Sequence, residues 1–188
     1  MRKALLAVLL VAAISCSPES RKPNDNVVHN VEKIMHSIPD FDIEFPETGF
    51  EVEKTETRDP NFDNVLITKW IVQGKDDKDP FIYFVAHNVI PKKLMQLERE
   101  DSSSIDSAFQ AMLTSPTLKI GGTDFNFRRI TYDGHQGLET TCKAFNGGGI
   151  IKSRVYRIEN DLFVIGAGGR NISLSEIDKF LGSFKIKK

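Results

Sequence analysis

FNFRRITYDGHQGLETTCKAFNGGGIIKSRVYRIENDLFVIGA, residues 125–167, is the stretch that decides the fold. It reads as a meander: strand-length runs rich in apolar residues, alternating with polar ones in most of them and apolar throughout in Leu162 to Ala167. The alternation breaks at Asp133-Gly134, at Asn146-Gly147-Gly148-Gly149 and at Asn160-Asp161, residue types that tolerate positive φ in tight turns. These breaks predict strands over Phe125 to Tyr132, Gly137 to Phe145, Ile150 to Ile158 and Leu162 to Ala167, joined by successive hairpins.

Towards the C-terminus, Ser173 and Glu176 have the spacing of a capping box. The helix they open places Leu174, Ile177, Leu181 and Phe184 on one face, with Gly182 near its end. Towards the N-terminus, Ile105, Ala108, Phe109 and Met112 mark a helix begun by Ser102-Ser103-Ser104 and stopped before Pro116. Leu94, Met95 and Leu97 suggest a helical turn ahead of it. Val65 to Val72 and Phe81 to Ile90 are apolar on both alternating faces, as strands covered on both sides must be. A polar turn, Gly74 to Pro80, separates them. Phe50 to Arg58 reads as a charged strand, with Lys and Glu that suit a sheet edge, Phe41 to Phe45 alternates as a half-buried strand closed by Pro46, and Val27 to Ile38 has helical periodicity just before Pro39. The expected fold is α+β, an antiparallel β-sheet of about six to eight strands with helices on both faces, an α/β/α sandwich.

This order of elements, with Tyr132-Asp133-Gly134-His135-Gln136-Gly137-Leu138-Glu139, Arg154-Val155-Tyr156, Asn160-Asp161-Leu162-Phe163 and Phe180-Leu181-Gly182-Ser183-Phe184-Lys185, resembles the PsbP-like family over about Phe41 to Lys185. The resemblance implies a PsbP-like sandwich shared with an extrinsic subunit of photosystem II, a eukaryotic Ran-binding protein and bacterial lipoproteins of unknown function. The matched residues look like turn and packing determinants, so a common fold would transfer no catalytic role.

The first residues carry an address. Arg2 and Lys3 precede an apolar run, Ala4 to Ile14, that is too short to span a bilayer stably. Ala13-Ile14-Ser15-Cys16 then resembles a bacterial lipobox, which makes Cys16 the expected site of lipid attachment. The chain accordingly divides into a signal peptide over 1–15, a tether over 16–26 holding Pro18, Pro23 and several charges, and one domain over 27–188. Losing Arg2 and Lys3 with the signal takes the formal charge from −1 to −3, which gives no footing for nucleic acid. With Cys16 acylated, Cys142 is the only thiol left and no internal disulfide can form. A domain of this size buries roughly 70% of its unfolded surface and needs no staple. Ser17 is not the aspartate that retains enteric lipoproteins at the inner membrane, so resemblance to that sorting rule favours the outer membrane.

Each candidate for chemistry has a plainer reading. Gly166-Ala167-Gly168-Gly169, between a strand and a helix, lacks the third glycine of a dinucleotide loop, where Asn171 stands, and reads as close packing. Asp76, Asp77 and Asp79 are dense, but they lack the ligand spacing of a calcium loop and suit a solvated hairpin tip. His29 and His36 are too far apart along a helix to share zinc, His87 lies in an apolar strand, and His135 lies at a hairpin tip. Cys142 alternates with Leu138, Thr140 and Ala144 and should face the core. Ser102-Ser103-Ser104 has no nucleophile-elbow context, Trp70 shares its face with Thr68 and Val72 and suits the core, and Asn171-Ile172-Ser173 matches a glycosylation acceptor only by coincidence. No catalytic residue, cofactor or metal is expected. The expectation is a non-catalytic binding or accessory lipoprotein, held to membrane lipid through Cys16, monomeric, with an envelope protein or glycan as partner. The alternative is a small envelope hydrolase whose site is assembled only by folding.

Overall fold

The computed structural model describes residues 36–37, 40–59, 65–74, 78–90 and 102–187. The signal, Cys16, the tether, the Leu94 to Leu97 turn, His29, Asp76 and Asp77 lie outside them.

The chain forms an α+β fold with a seven-stranded sheet of order β3-β4-β5-β9-β8-β7-β6. Every neighbouring pair is antiparallel. The strands are β3 (Glu53–Asp59), β4 (Val65–Gly74), β5 (Phe81–Val89), β6 (Thr123–Tyr132), β7 (His135–Ala144), β8 (Gly149–Ile158) and β9 (Asp161–Gly169). The predicted meander is β6 to β9. Its first turn, Asp133-Gly134, has φ of +46° and +83° and is a two-residue loop between paired Tyr132 and His135, the backbone a primed turn requires. The charged strand β3 forms one edge of the sheet, as expected. The other edge, β6, carries a bulge between Thr123 and Asn126, with Asp124 at φ +56°, and both devices discourage strand pairing with another molecule.

Alternation along β5 explains why that strand is apolar throughout. Ile82, Phe84 and Ala86 join a cluster with Leu138, Cys142, Ile151 and Val155, to which helix α1 (Ser102–Leu118) adds Phe109, Met112 and Leu113. Tyr83 and Val85 join a second cluster with Trp70, Phe163 and Ile165, to which helix α2 (Leu174–Ser183) adds Ile177, Phe180 and Leu181. These are the two helices among the described residues, and among those residues no helix is long and apolar enough to cross a membrane.

Several expectations are corrected. The alternation at Phe41 to Phe45 yields only a short β2 (Asp40–Asp42), which sits between β1 (His36–Ser37) and β10 (Lys185–Ile186) in a separate three-stranded sheet. Ile43 and Phe45 leave the strand yet stay anchored: Ile43 is buried, Phe45 packs on Phe180, and the Glu44 amide donates to Ser183 Oγ. The expected helix over Val27 to Ile38 does not include His36 and Ser37, which pair with Phe41 and Asp40. Proline at 39 disfavours helical backbone just ahead of it; the rest of that segment lies outside the described residues.

Helix α1 runs through Pro116 to Leu118 instead of stopping short. The proline removes one backbone donor, while Thr114 Oγ1 donates to the Gln110 carbonyl and Thr117 Oγ1 to that of Leu113, each at 2.9 Å. The capping box of α2 forms as predicted: the Glu176 amide donates to Ser173 Oγ and the Ser173 amide to Glu176. Leu174, however, is 49% exposed, and Phe180 is buried in its place. As the first helical residue, Leu174 stands where the chain has only just left the sheet.

Candidate functional site

Gly166-Ala167-Gly168-Gly169 lies inside β9, not beyond its end, with Gly168 opposite Ile82 on one side and Ile151 on the other. A Cβ at Gly168 would meet the Ile150 carbonyl and the Ile151 side chain, so these glycines serve close strand packing and present no loop to a phosphate.

His87, on β5, is 3% exposed and hydrogen-bonds through Nε2 to Asp161 Oδ1 at 2.8 Å. Its ring lies 5.0 Å from that of Phe163, the residue opposite it on β9. A histidine oriented by a carboxylate is half of a hydrolytic apparatus. The missing half is a nucleophile, and Cys142 does not supply it. The thiol belongs to the α1 cluster, whereas Phe163 belongs to the α2 cluster, so the sheet separates Cys142 from His87. Burial pushes the Cys142 thiol up from 9.0 to about 11, against a backbone hydrogen bond from Ile151. At neutral pH the group is a thiol and a poor nucleophile. Native protein treated with a thiol reagent at pH 8 should therefore react at Cys142 at least tenfold more slowly than protein unfolded in guanidinium; equal rates would mean that the site opens.

The strongest electrostatic feature was not anticipated as a site. Glu139, 4% exposed at the middle of β7, takes Arg128 from β6 and Arg154 from β8 as directly opposed partners. Arg128 Nη2 donates to Oε1 at 2.7 Å and Arg154 Nε to Oε2 at 2.8 Å, while Lys152 Nζ stands 3.6 Å from Oε1. Lys152 also donates to Asp178 of α2 at 2.6 Å, and Arg154 Nη1 reaches the Leu181 carbonyl at 3.4 Å. One carboxylate thus ties three strands to a helix. Burial would lower the Arg154 guanidinium, but its bond to Glu139 and the neighbouring Tyr156 hold it above its ordinary value. Burial likewise raises the Tyr156 phenol, against the pull of Arg154. Both oxygens of Glu139 already accept charged donors, which suits holding elements together and not abstracting a proton.

The sequence contains this cluster in readable form. A two-residue turn at Asp133-Gly134 sets Arg128 opposite Glu139, and a four-residue turn over Phe145 to Gly148 sets Glu139 opposite Arg154.

No protein-family model matches the chain, and no curated protein matches it.

The other candidates fall into structural places. Trp70 is 2% exposed and meets Phe41 edge-on at 5.0 Å. Asp79 accepts from Asn171 Nδ2 at 3.1 Å, stitching two loops. Ser173 of the acceptor-like triplet is the α2 cap. His36 contributes backbone pairing to β1, and His135 closes the β6–β7 turn. Ser102 to Ser104 begin α1. Among the described residues, no group of three or more His, Cys, Asp or Glu side chains could hold a metal ion. Thr140 and Ser153, at 0% and 2% exposure, each carry a hydroxyl oxygen with no hydrogen-bond partner among the described residues. An orphaned buried hydroxyl costs about 1–3 kcal/mol.

Proposed function

We propose that the chain is a bacterial envelope lipoprotein, anchored through acylated Cys16, whose folded part acts as a non-catalytic binding or accessory module. The observation that carries the anchoring is the order of features over residues 1–16: cationic start, short apolar run, then Ala13-Ile14-Ser15-Cys16. Each buried methylene of an acyl chain adds about 0.8 kcal/mol, so several chains together make release negligible. The tether over 16–26 then sets the folded part clear of the bilayer, in the outer membrane by the Ser17 rule. Membrane lipid is the first partner. An envelope protein or glycan is the second.

The accessory role is supported by where the buried polar groups spend their hydrogen bonds. Glu139, Arg154 and Lys152 bind one another and α2, and His87 binds Asp161 on the face of the sheet away from Cys142. A PsbP-like α/β/α sandwich, one helix against each face, belongs to the same proposal. It is supported by the alternation that sends Phe84 to the cluster of α1 and Tyr83 to the cluster of α2.

Cys16→Ala should abolish incorporation of labelled palmitate and move the protein from the detergent phase to the aqueous phase of a Triton X-114 partition. Unchanged labelling and partitioning would remove the anchor. The alternative, a small envelope hydrolase, draws on the His87–Asp161 pair. Turnover of ester, peptide or glycoside substrates that is lost in His87→Gln protein of unchanged fold would establish it over the accessory role.

A further inference from the structure

We propose that Thr140 and Ser153 form a binding site for one internal water molecule between the sheet and α1. The two residues are direct partners across β7 and β8. Opposed side chains on one face of an antiparallel pair have Cβ atoms about 4.5–5.5 Å apart, a spacing that a single water oxygen can bridge between two hydroxyls. Both side chains are fully enclosed, and neither oxygen has a partner among the described residues. One position further along each alternation, Leu138, Cys142, Ile151 and Val155 belong to the cluster that Phe109, Met112 and Leu113 of α1 complete, so the helix closes the site from bulk solvent.

Gly166, opposite Ser153 on β9, makes the hydroxyl possible. A Cβ there would lie 2.5 Å from Ser153 Oγ and would also collide with the Phe84 ring. The surroundings are otherwise apolar, and apolar cavities stay dry. The pair of hydroxyls supplies the two polar partners that hold a buried water, each able to donate or accept. The charged residues next to the pair along these strands, Glu139, Arg154 and Lys152, alternate to the other face, and Arg157, on the same face, stands four residues along β8 from Ser153, so no countercharge adjoins the two hydroxyls.

The test uses Thr140→Val and Ser153→Ala, singly and together, in the full chain, with a crystal structure of the unaltered protein. A bridging water predicts density within hydrogen-bonding distance of both oxygens. It also predicts that each single change lowers Tm by about 2–4 °C, and that the double change lowers it by less than the sum, since one shared water is lost once. Removing a hydroxyl that has no partner would instead leave Tm unchanged or raise it. That result for Thr140→Val, additive losses in the double variant, or empty density between the two oxygens would overturn the site.

Discussion

Glu139→Ala protein should lose about 3–5 kcal/mol of unfolding free energy, because the change strands Arg154 without the carboxylate that compensates its burial, while Lys152 keeps Asp178. The side chains of Arg154 and Lys152 are 19% and 13% exposed, whereas that of Arg128 is 68% exposed and can turn to water. The loss should therefore come from Arg154 and not from Arg128. Urea unfolding would read it as a fall in the midpoint at constant m-value. Glu139→Gln keeps the shape but not the charge and should recover only a small part of the loss. Glu139→Leu combined with Arg154→Met should recover most of it, since a well-packed apolar pair can replace a buried ion pair at little cost. A midpoint for Glu139→Ala within experimental error of the parent would show that the cluster contributes nothing to α2 docking.

Phe163→Ala should be comparably damaging, at about 3–5 kcal/mol. Phe163 is 0% exposed on β9 and touches the rings of Phe41, Phe184 and His87 at centroid distances of 5.6, 5.3 and 5.0 Å. It is where the small sheet, through Phe41, meets the large one. Truncation would open a cavity walled by three separately anchored elements, which can collapse only partially. Phe50→Ala offers the contrast: a half-exposed ring that meets Phe81 edge-on should cost about 1 kcal/mol or less. Near-equal losses at the two positions would mean that Phe163 is not the keystone its contacts make it.

Local chemistry was legible wherever local chemistry decides. Asp133-Gly134 and Asn146-Gly147 announced turns because few residue pairs accept that backbone, and all four residues have positive φ. Ser173 and Glu176 announced a helix start through their own hydrogen bonds. Pro116 misled because a proline inside a helix removes only its own donor, and α1 continues two residues past it while Thr114 and Thr117 on either side bond back to the Gln110 and Leu113 carbonyls, which periodicity does not register. Phe41 misled in another way: its alternation signals a strand, but nothing local says which sheet will take it. The Glu139 cluster lay between these cases. Its residues look like ordinary strand charges one at a time, and only counting inward from two turns brings Arg128, Glu139 and Arg154 into line. The inward face of Glu139 follows from the same parity, being opposite to that of Leu138 and Cys142.

The pairing of β5 with β9 gives the large sheet a seam. Every other junction within it closes a hairpin, whereas this one joins residues 81–89 to residues 161–169 across the length of the meander and α1. Closing so long a loop is entropically uphill before any contact rewards it. The β3-β4-β5 and β6-to-β9 halves can each zip from their own turns, but Val85 and Ile165 cannot shield one another until the halves meet. Assembly is therefore a docking of two ribbons, and until it is complete each ribbon bares a central, apolar strand edge. A newly made chain is most vulnerable to mispairing in that interval, along the very strand that ends as the most sheltered part of the fold.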